Sequence, residues 1–274
     1  MRVRFVLSGV LRISAGIFLG LAIFALIYPA QFVQGLLWVT TSIPSTPPPP
    51  VIMAPNGELP EGIVGLRLWA QERGSGYEPA WASGFLLELE DGRVIGLTAA
   101  HSLFQNNLDR SLERIGLAVN SQSQLILDAE TYFGPPGVPF EGQDFSVDYV
   151  MLQVDQADPV FILQPDERGL PQPGERIILF SGLGDGHGNP RPWQGTVLST
   201  GSTAVLLLMD WSSWNPGGMS GSPVISQHTG KVVGMTIAAG LRRTRWVIGI
   251  NPIGNLVKRA QAAQEFPKIS AFQR

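Results

Sequence analysis

Short apolar runs separated by turn residues dominate the chain from residue 63 onward. The runs are bounded by Gly, Pro, Asn, Asp and Ser, a pattern typical of β-strands rather than helices. The predicted strands are Ile63–Ala70, Gly84–Leu89, Val94–Thr98, Leu125–Phe133, Asp148–Val154, Arg176–Gly182, Gly195–Thr200, Ala204–Met209, Pro223–Ser226, Lys231–Ile237 and Trp246–Asn251. This spacing of short strands predicts an all-β barrel or sandwich architecture.

Turns and one proline-rich stretch organise the strand region. Residues 90–93 (Glu-Asp-Gly-Arg) and 228–231 (His-Thr-Gly-Lys) predict hairpin turns. The polar stretch 164–174 divides the strands into two halves of similar size. After the last strand, about residues 252–264 predict a helix, because Asn251 can cap it and Pro252 can take its first position.

A longer apolar run occupies the N-terminal region. Ile13–Pro29 is almost wholly apolar, the apolar character resumes within residues 32–39, and no charged residue lies between Arg12 and Glu58. The run lacks a polar face and is near the short limit for spanning a bilayer, so it predicts a transmembrane segment over residues 13–39. A cleaved signal peptide is the alternative. The nearest candidate cleavage site, after Ala30, has the bulky Tyr28 where a small residue is preferred.

Charge on either side of this run predicts its orientation. Three arginines precede it and no basic residue follows closely, so residues 1–12 are expected to form a cytoplasmic tail. Pro47–Pro50 predict an extended spacer inside a linker at residues 40–60. We therefore expect a folded domain at residues 61–274, anchored outside the cytoplasm by a single pass, or secreted if the segment is cleaved.

Composition removes several classes of function. The chain has no cysteine, which excludes disulfides and thiolate metal sites. All acidic residues lie beyond residue 50, and the folded part carries no basic run, so nucleic-acid binding is not indicated. Asp185 and His187 share a glycine-rich loop, but two ligands make a weak metal site. We expect no metal and no cofactor.

A histidine, an aspartate and a serine stand in three distinctive settings. His101 ends Thr-Ala-Ala-His after a predicted strand, Asp148 opens an apolar run, and Ser220 lies in Asn-Pro-Gly-Gly-Met-Ser-Gly-Ser-Pro. A serine hydroxyl needs an adjacent base, imidazole titrates near neutrality, and a carboxylate can fix the imidazole tautomer. The order His, Asp, Ser predicts a catalytic triad of these three residues.

Each of these residues has another interpretation when taken alone. Ser220 could be an ordinary turn serine, His101 a hydrogen-bonded residue at a strand end, and Asp148 a cap. Ser222 and Asp144 lie close enough in sequence to compete for the serine and carboxylate roles. The conjunction of three settings in one order favours the triad.

These motifs resemble the trypsin/chymotrypsin-like serine peptidase family, in its cysteine-free bacterial branch, over about residues 63–264. The resemblance implies two antiparallel six-stranded β-barrels, followed by a C-terminal helix. The first barrel would span about residues 61–163, the connection 164–174, and the second barrel about 175–251, with the helix at about 252–264.

The resemblance also implies an activity. Members of the family are hydrolases that cleave protein or peptide substrates through an acyl-enzyme on the serine. Their nucleophile directly precedes the first glycine of Ser-Gly-x-Pro, which selects Ser220 over Ser222. Their acid begins an apolar strand, which selects Asp148 over Asp144. The alternative function is a catalytically inactive trypsin-fold domain that binds or senses a partner in the cell envelope.

The residues before Ser220 predict how its loop works. Gly218 allows a tight turn in which its own N–H and that of Ser220 point into one pocket, an oxyanion hole. Relatives that are activated by cleavage of a precursor carry aspartate directly before the nucleophile. Met219 stands there in this chain, so we expect no such activation switch.

Substrate-binding residues follow from the resemblance alone. Trp214 would lie at the base of the primary pocket, and Thr236, Ile237 and Ala238 would pair with the substrate backbone as an added strand. The position of Trp214 carries no acid, so a preference for Lys or Arg is not indicated. Thr236 stands where glutamate-specific members carry histidine, so glutamate specificity is not indicated either.

Overall fold

The structure, a computed structural model, describes six stretches of the chain: residues 65–104, 112–119, 125–183, 192–210, 216–242 and 244–271. None of the helices in these stretches is long and apolar enough to cross a membrane. The transmembrane segment predicted at residues 13–39 and the linker predicted at 40–60 lie outside the described residues.

The N-terminal part of the described chain forms one sheet, here called the N-terminal sheet. Its strands are β1 (Leu66–Glu72), β2 (Tyr77–Glu88), β3 (Val94–Thr98), β4 (Leu112–Ala118), β5 (Leu125–Ala129), β6 (Val150–Gln153) and β7 (Ile162–Leu163). The strand order is β5-β4-β1-β2-β3-β6, with antiparallel neighbours, and the short β7 pairs with β2 in parallel. Leu66, Leu86, Leu117 and Leu152 are among the buried side chains that form its core.

The N-terminal sheet is open between β5 and β6, so the prediction of a closed first barrel is wrong for its regular strands. The sheet is a half-barrel. Two isolated hydrogen bonds cross the gap just after β5. The Gln153 N–H donates to the Thr131 carbonyl (3.0 Å), and the Phe133 N–H donates to the Met151 carbonyl (2.8 Å). The edge is therefore bridged by irregular backbone rather than by a strand ladder.

The C-terminal tail explains why β5 ends at Ala129 rather than continuing to residue 133. The Tyr132 N–H donates to the Pro267 carbonyl (2.9 Å), and the Ile269 N–H donates to the Glu130 carbonyl (2.9 Å). The Ile269 side chain is buried in the core of the N-terminal sheet. The backbone groups of the segment after β5 thus form hydrogen bonds with both the C-terminal tail and β6.

The second half forms a closed barrel, here called the C-terminal barrel, as predicted. Its strands are β8 (Arg176–Phe180), β9 (Pro192–Thr200), β10 (Val205–Met209), β11 (Pro223–Ser226), β12 (Val232–Arg242) and β13 (Arg245–Pro252). They close in the order β10-β13-β12-β11-β8-β9, all antiparallel. The two predicted hairpin turns are confirmed, one between β2 and β3 and the other between β11 and β12.

Among the described residues there are two α-helices: α1 (His101–Phe104), a single turn, and α2 (Ile253–Ala262). The predicted C-terminal helix is confirmed, and it buries Ile253, Leu256 and Ala260. Its predicted cap is wrong. Pro252 occupies the cap position without a side-chain bond, and Asn251 belongs to β13.

The segment that joins the two sheets contains a buried ion cluster. The Arg168 guanidinium contacts the carboxylates of Asp166 (2.6 Å) and Glu175 (2.8 Å), which are 5% and 1% exposed. The hydroxyls of Ser226 and Thr229 donate to Glu175 and Asp166 respectively. Buried carboxylates need such partners, so the cluster fastens the joining segment to the turn between β11 and β12.

Candidate active site

His101 is held in place from two sides by one carboxylate. It begins α1, three residues after the end of β3 at Thr98, and is 8% exposed. Its backbone N–H donates to Asp148 Oδ1 (3.1 Å), and its ring Nδ1 lies 2.7 Å from Asp148 Oδ2. An ionised carboxylate only accepts hydrogen bonds, so Nδ1 carries a proton and Nε2 is left as an acceptor.

Asp148 is fully buried and follows a 3₁₀ turn at Phe145–Val147. Besides the two bonds from His101, it accepts the N–H of Phe140 (3.1 Å). Strand pairing accounts for its place, because β3 pairs with β6 through Thr98 and Val150, which brings the segments beside these strand ends together. Three contacts therefore hold this buried carboxylate in one orientation.

Asp144, the other candidate for the carboxylate role, has a local structural role. Its Oδ1 accepts the N–H (3.0 Å) and the hydroxyl (2.6 Å) of Ser146, so it caps the same 3₁₀ turn. The structure therefore brings Asp148 to His101, and Asp144 points its carboxylate into a turn.

Of the two neighbouring serines, Ser220 faces the histidine. Its Oγ lies 2.7 Å from Nε2 of His101. Ser222 is fully buried, and its Oγ has no hydrogen-bond partner among the described residues. The predicted triad residues thus form a continuous chain of hydrogen bonds, Asp148–His101–Ser220, while their catalytic roles stay a prediction.

Glycine is required on both sides of Ser220. Gly218 and Gly221 have φ of +84° and +86°, a region that other residues rarely adopt. A Cβ at Gly218 would lie 1.8 Å from the Leu183 side chain, and one at Gly221 would lie 2.1 Å from the Ser83 carbonyl oxygen. Conformation and space therefore both select glycine in this loop.

The backbone of this loop leaves two N–H groups available. The N–H groups of Met219, Gly221 and Ser222 donate to backbone carbonyls at 3.2, 2.8 and 2.8 Å. In the part of the chain that the structure describes, the N–H groups of Gly218 and Ser220 have no acceptor. These two donors are the ones that the sequence predicts for an oxyanion hole.

Met219 anchors the loop through an apolar side chain. It is 1% exposed and packs into the core of the C-terminal barrel with residues such as Val224 and Ile250. The position that carries an aspartate in precursor-activated relatives is therefore filled by a hydrophobic contact.

The predicted substrate-pairing segment divides into two parts. The N–H of Thr236 donates to the Ser222 carbonyl (2.9 Å), and its carbonyl accepts the N–H of Gly221 (2.8 Å), so its backbone is already engaged. Beyond Thr236, β12 pairs only with β13 among the described strands. The open edge therefore starts at Ile237 and includes Ala238. Trp214 lies outside the described residues.

The remaining candidates do not join the site. His228 lies in the turn between β11 and β12, where its N–H donates to the Ser226 hydroxyl (3.0 Å). Asp185 and His187 lie outside the described residues. Within the described stretches, no group of three or more His, Asp or Glu side chains is arranged to hold a metal ion.

Two residues of the site were not found from the sequence. The rings of Phe140 and His101 are nearly perpendicular, with centroids 5.8 Å apart and planes at 82°, and the Phe140 N–H also bonds Asp148. It sits in an irregular glycine- and proline-rich loop, where no pattern marks it. Ser83 hydrogen-bonds the loop that carries Ser220. A polar residue inside the apolar run of β2 is the sequence pattern that could have indicated it.

A closed six-stranded barrel, a half-barrel and one C-terminal helix define the chymotrypsin-like fold. The trypsin-like peptidase domain family matches residues 82–235, a span that is more than half of the chain and contains His101, Asp148 and Ser220. The chain belongs to this family of proteases. A search of curated protein sequences gave no match.

Several solved structures are similar to the chain at low sequence identity. A serine endoprotease from Yersinia pestis is 14% identical with a TM-score of 0.47, covering 71% of this chain and 60% of that one. The chain thus spans less than two thirds of that protein. Tobacco etch virus protease is 14% identical with a TM-score of 0.48, covering 80% and 86%. Kallikrein-related peptidase 10 is 16% identical with a TM-score of 0.47, covering 71% and 92%.

Proposed function

We propose that the protein is a serine endopeptidase that hydrolyses peptide bonds through an acyl-enzyme on Ser220. The observation that carries this proposal is the hydrogen-bond chain in which His101 contacts Asp148 and Ser220, each at 2.7 Å. Membership of the trypsin-like peptidase family supports it. Substrates are proteins or peptides.

In the first half-reaction, Ser220 Oγ attacks the carbonyl carbon of the scissile bond while Nε2 of His101 takes the hydroxyl proton. The negative charge that develops on the carbonyl oxygen is stabilised by the N–H groups of Gly218 and Ser220. Asp148 stabilises the imidazolium that forms. His101 then gives its proton to the leaving amine as the carbon–nitrogen bond breaks.

The second half-reaction releases the acyl group. His101 takes a proton from water, the resulting hydroxide equivalent attacks the acyl carbon, and the same two N–H groups stabilise the second oxyanion. The bond to Ser220 Oγ breaks, and His101 returns the proton to that oxygen. The enzyme is regenerated without a cofactor in this scheme.

Substrate would be held along β12. Its open edge at Ile237 and Ala238 offers backbone groups for an added strand, a common mode of peptide recognition. By resemblance, Trp214 would line the primary pocket. A peptide-library cleavage profile of the full chain tests this arrangement. A profile without any side-chain preference next to the cleaved bond would contradict a formed primary pocket.

The proposal includes a place in the cell. The apolar segment 13–39 and the preceding arginines support a single-pass anchor with the peptidase domain outside the cytoplasm. Membrane fractionation and protease protection of intact cells test it. Material that is free in the medium and begins near residue 31 would instead show a cleaved signal peptide.

A fluorophosphonate probe tests the chemistry, because it reacts with activated serine hydroxyls. We expect the wild-type chain and the Ser222→Ala variant to be labelled, and the Ser220→Ala variant not to be. Ser222→Ala is the matched control, since it removes a hydroxyl from the same loop that makes no hydrogen bond in the described structure. Absence of labelling in the folded wild type would favour the inactive binding module.

A further inference from the structure

Ser83 belongs to β2 of the N-terminal sheet, yet its hydrogen bonds reach the loop that carries Ser220. The side chain is fully buried. Its N–H donates to the Ser220 carbonyl (2.8 Å), and its Oγ donates to the Gly218 carbonyl (2.9 Å). Oγ also accepts the N–H of Gly182 (3.0 Å), and the Ser83 carbonyl accepts the Thr98 hydroxyl (2.7 Å). One residue therefore uses every polar group it has.

Two peptide groups of the nucleophile loop, residues 216–222, are each hydrogen-bonded at both the carbonyl and the N–H. The Gly218 carbonyl is held by Ser83, and the N–H of the same peptide group, that of Met219, donates to another carbonyl of the loop (3.2 Å). The Ser220 carbonyl is also held by Ser83, and the N–H of that peptide group, that of Gly221, donates to β12 (2.8 Å).

A peptide group is planar, so fixing its carbonyl and its N–H fixes its rotation. Gly218 is the residue of the loop that most needs this restraint, because glycine can adopt φ of either sign at little cost. The Gly218 N–H lies in the preceding peptide group, which is joined to the held one at the Gly218 Cα. If the Gly218 carbonyl were released, φ and ψ of Gly218 could change, and the Gly218 N–H would lose its fixed direction relative to the Ser220 N–H.

We propose that Ser83 is a positioning residue whose hydroxyl keeps the oxyanion hole in its working geometry. The proposal rests on the peptidase function proposed above. Ser83 also links the two sheets, since Thr98 lies three residues before His101 and Gly218 lies two residues before Ser220. Ser83 thus connects the two segments, its carbonyl bonding Thr98 near the base and its hydroxyl bonding Gly218 near the nucleophile.

The test uses the full chain and the variant Ser83→Ala. Deleting an oxyanion-hole donor lowers turnover by about 10²–10³, and we expect the loss of its support to lower kcat by about tenfold to a hundredfold. KM should change by less than about twofold, because the interaction acts in the transition state. The pH at which kcat/KM is half-maximal should not move, because His101 and Asp148 keep their contacts.

A peptide boronate, which is an analogue of the tetrahedral intermediate, gives a second readout. Its oxygen occupies the oxyanion hole, so its inhibition constant should rise by the same factor as kcat falls. Binding of the corresponding product peptide, which has no tetrahedral centre, should be unchanged. A serine that only stabilised the fold would not separate these two affinities. Ser222→Ala, the matched control, should leave both unchanged.

Two further variants keep the test decisive if Ser83→Ala folds poorly. Ser83→Cys is nearly isosteric but a weak donor, so it should show the same loss of kcat and boronate affinity. Ser83→Thr keeps the hydroxyl and should recover most of the loss. A folded Ala or Cys variant with the wild-type kcat and boronate affinity would overturn the role of Ser83 but not the peptidase function. A folded wild type that does not react with fluorophosphonate would overturn this role and the peptidase function together.

Discussion

The two sheets differ in how the backbone groups of their edge strands are hydrogen-bonded. The C-terminal barrel closes through a complete ladder of six strands, whereas the N-terminal sheet stays open and is bridged by isolated bonds and by the C-terminal tail. The closed barrel carries Ser220, whose proposed role depends on backbone N–H groups. The open sheet carries His101 and Asp148, which hold each other through side-chain bonds. A complete ladder is thus found where the proposed chemistry depends on backbone geometry.

The largest expected effect concerns Asp148, one of the two residues of the proposed triad that the open sheet carries. Asp148→Asn keeps the shape of the side chain but favours the wrong imidazole tautomer, so kcat should fall by about 10⁴ while the fold is retained. Steady-state kinetics and circular dichroism measure the two quantities. Asp144→Asn is the control, because Asp144 only caps a turn. A larger loss in the control would reassign the carboxylate.

The second effect concerns the segment joining the sheets. Arg168→Ala leaves the buried carboxylates of Asp166 and Glu175 without their cation, and we expect the free energy of unfolding to fall by about 3 kcal/mol. Urea unfolding measures the change. Arg73→Ala breaks an exposed pair with Glu113 and should cost less than about 1 kcal/mol. Equal costs for the two variants would show that burial does not strengthen the cluster.

The third effect tests whether the tail completes the open sheet. Ile269→Ala removes a buried side chain from the N-terminal core, and we expect it to cost about 2 kcal/mol. Hydrogen exchange should quicken in β4 and β5 before it changes in the C-terminal barrel. Phe266→Ala, at an exposed position of the same tail, is the control. Uniform quickening across both sheets would mean that the tail supports the whole molecule equally.

The smallest effect is a pH dependence of stability. Burial raises the pKa of Asp166, but hydrogen bonds from Arg168 and Thr229 outweigh it and hold that pKa below its usual range. Burial likewise raises the pKa of Glu175, and bonds from Arg168 and Ser226 lower it further than burial raises it.

A depressed folded-state pKa stabilises the protein above the unfolded value and loses that stabilisation as the pH falls through the folded value. With unfolded values of about 3.9 and 4.3, Tm should therefore decline below about pH 4. The difference in Tm between wild type and Asp166→Asn should shrink over the same range. A difference that grows on acidification would contradict the sign of the shift.

The sequence predicted where most strands lie better than how the sheets close. His101, Asp148 and Ser220 could be chosen as candidates because each stands beside a regular apolar run with a local motif. Asp148 was preferred to Asp144 for the apolar run that follows it, and the structure brings Asp148 to the imidazole. The twofold alternation of a strand is local, so a single sequence is enough to detect it.

The missed elements depend on distant contacts. β4 was not predicted, because its buried residues Leu112, Ile115 and Leu117 do not keep one alternation, and its pairing with β1 shifts register at Gln71–Glu72. The early end of β5 depends on a tail more than a hundred residues away. Long-range pairing of this kind leaves no periodic pattern in the sequence.

The apolar anchor at Met219 has a consequence for the conditions under which the loop keeps its shape. An anchor made by an ion pair weakens as salt screens it and fails when an amine loses its proton. Packing of a thioether into a hydrophobic core responds to neither. The geometry around Ser220 should therefore tolerate changes of ionic strength and alkaline pH, and it should be complete as soon as the barrel has folded.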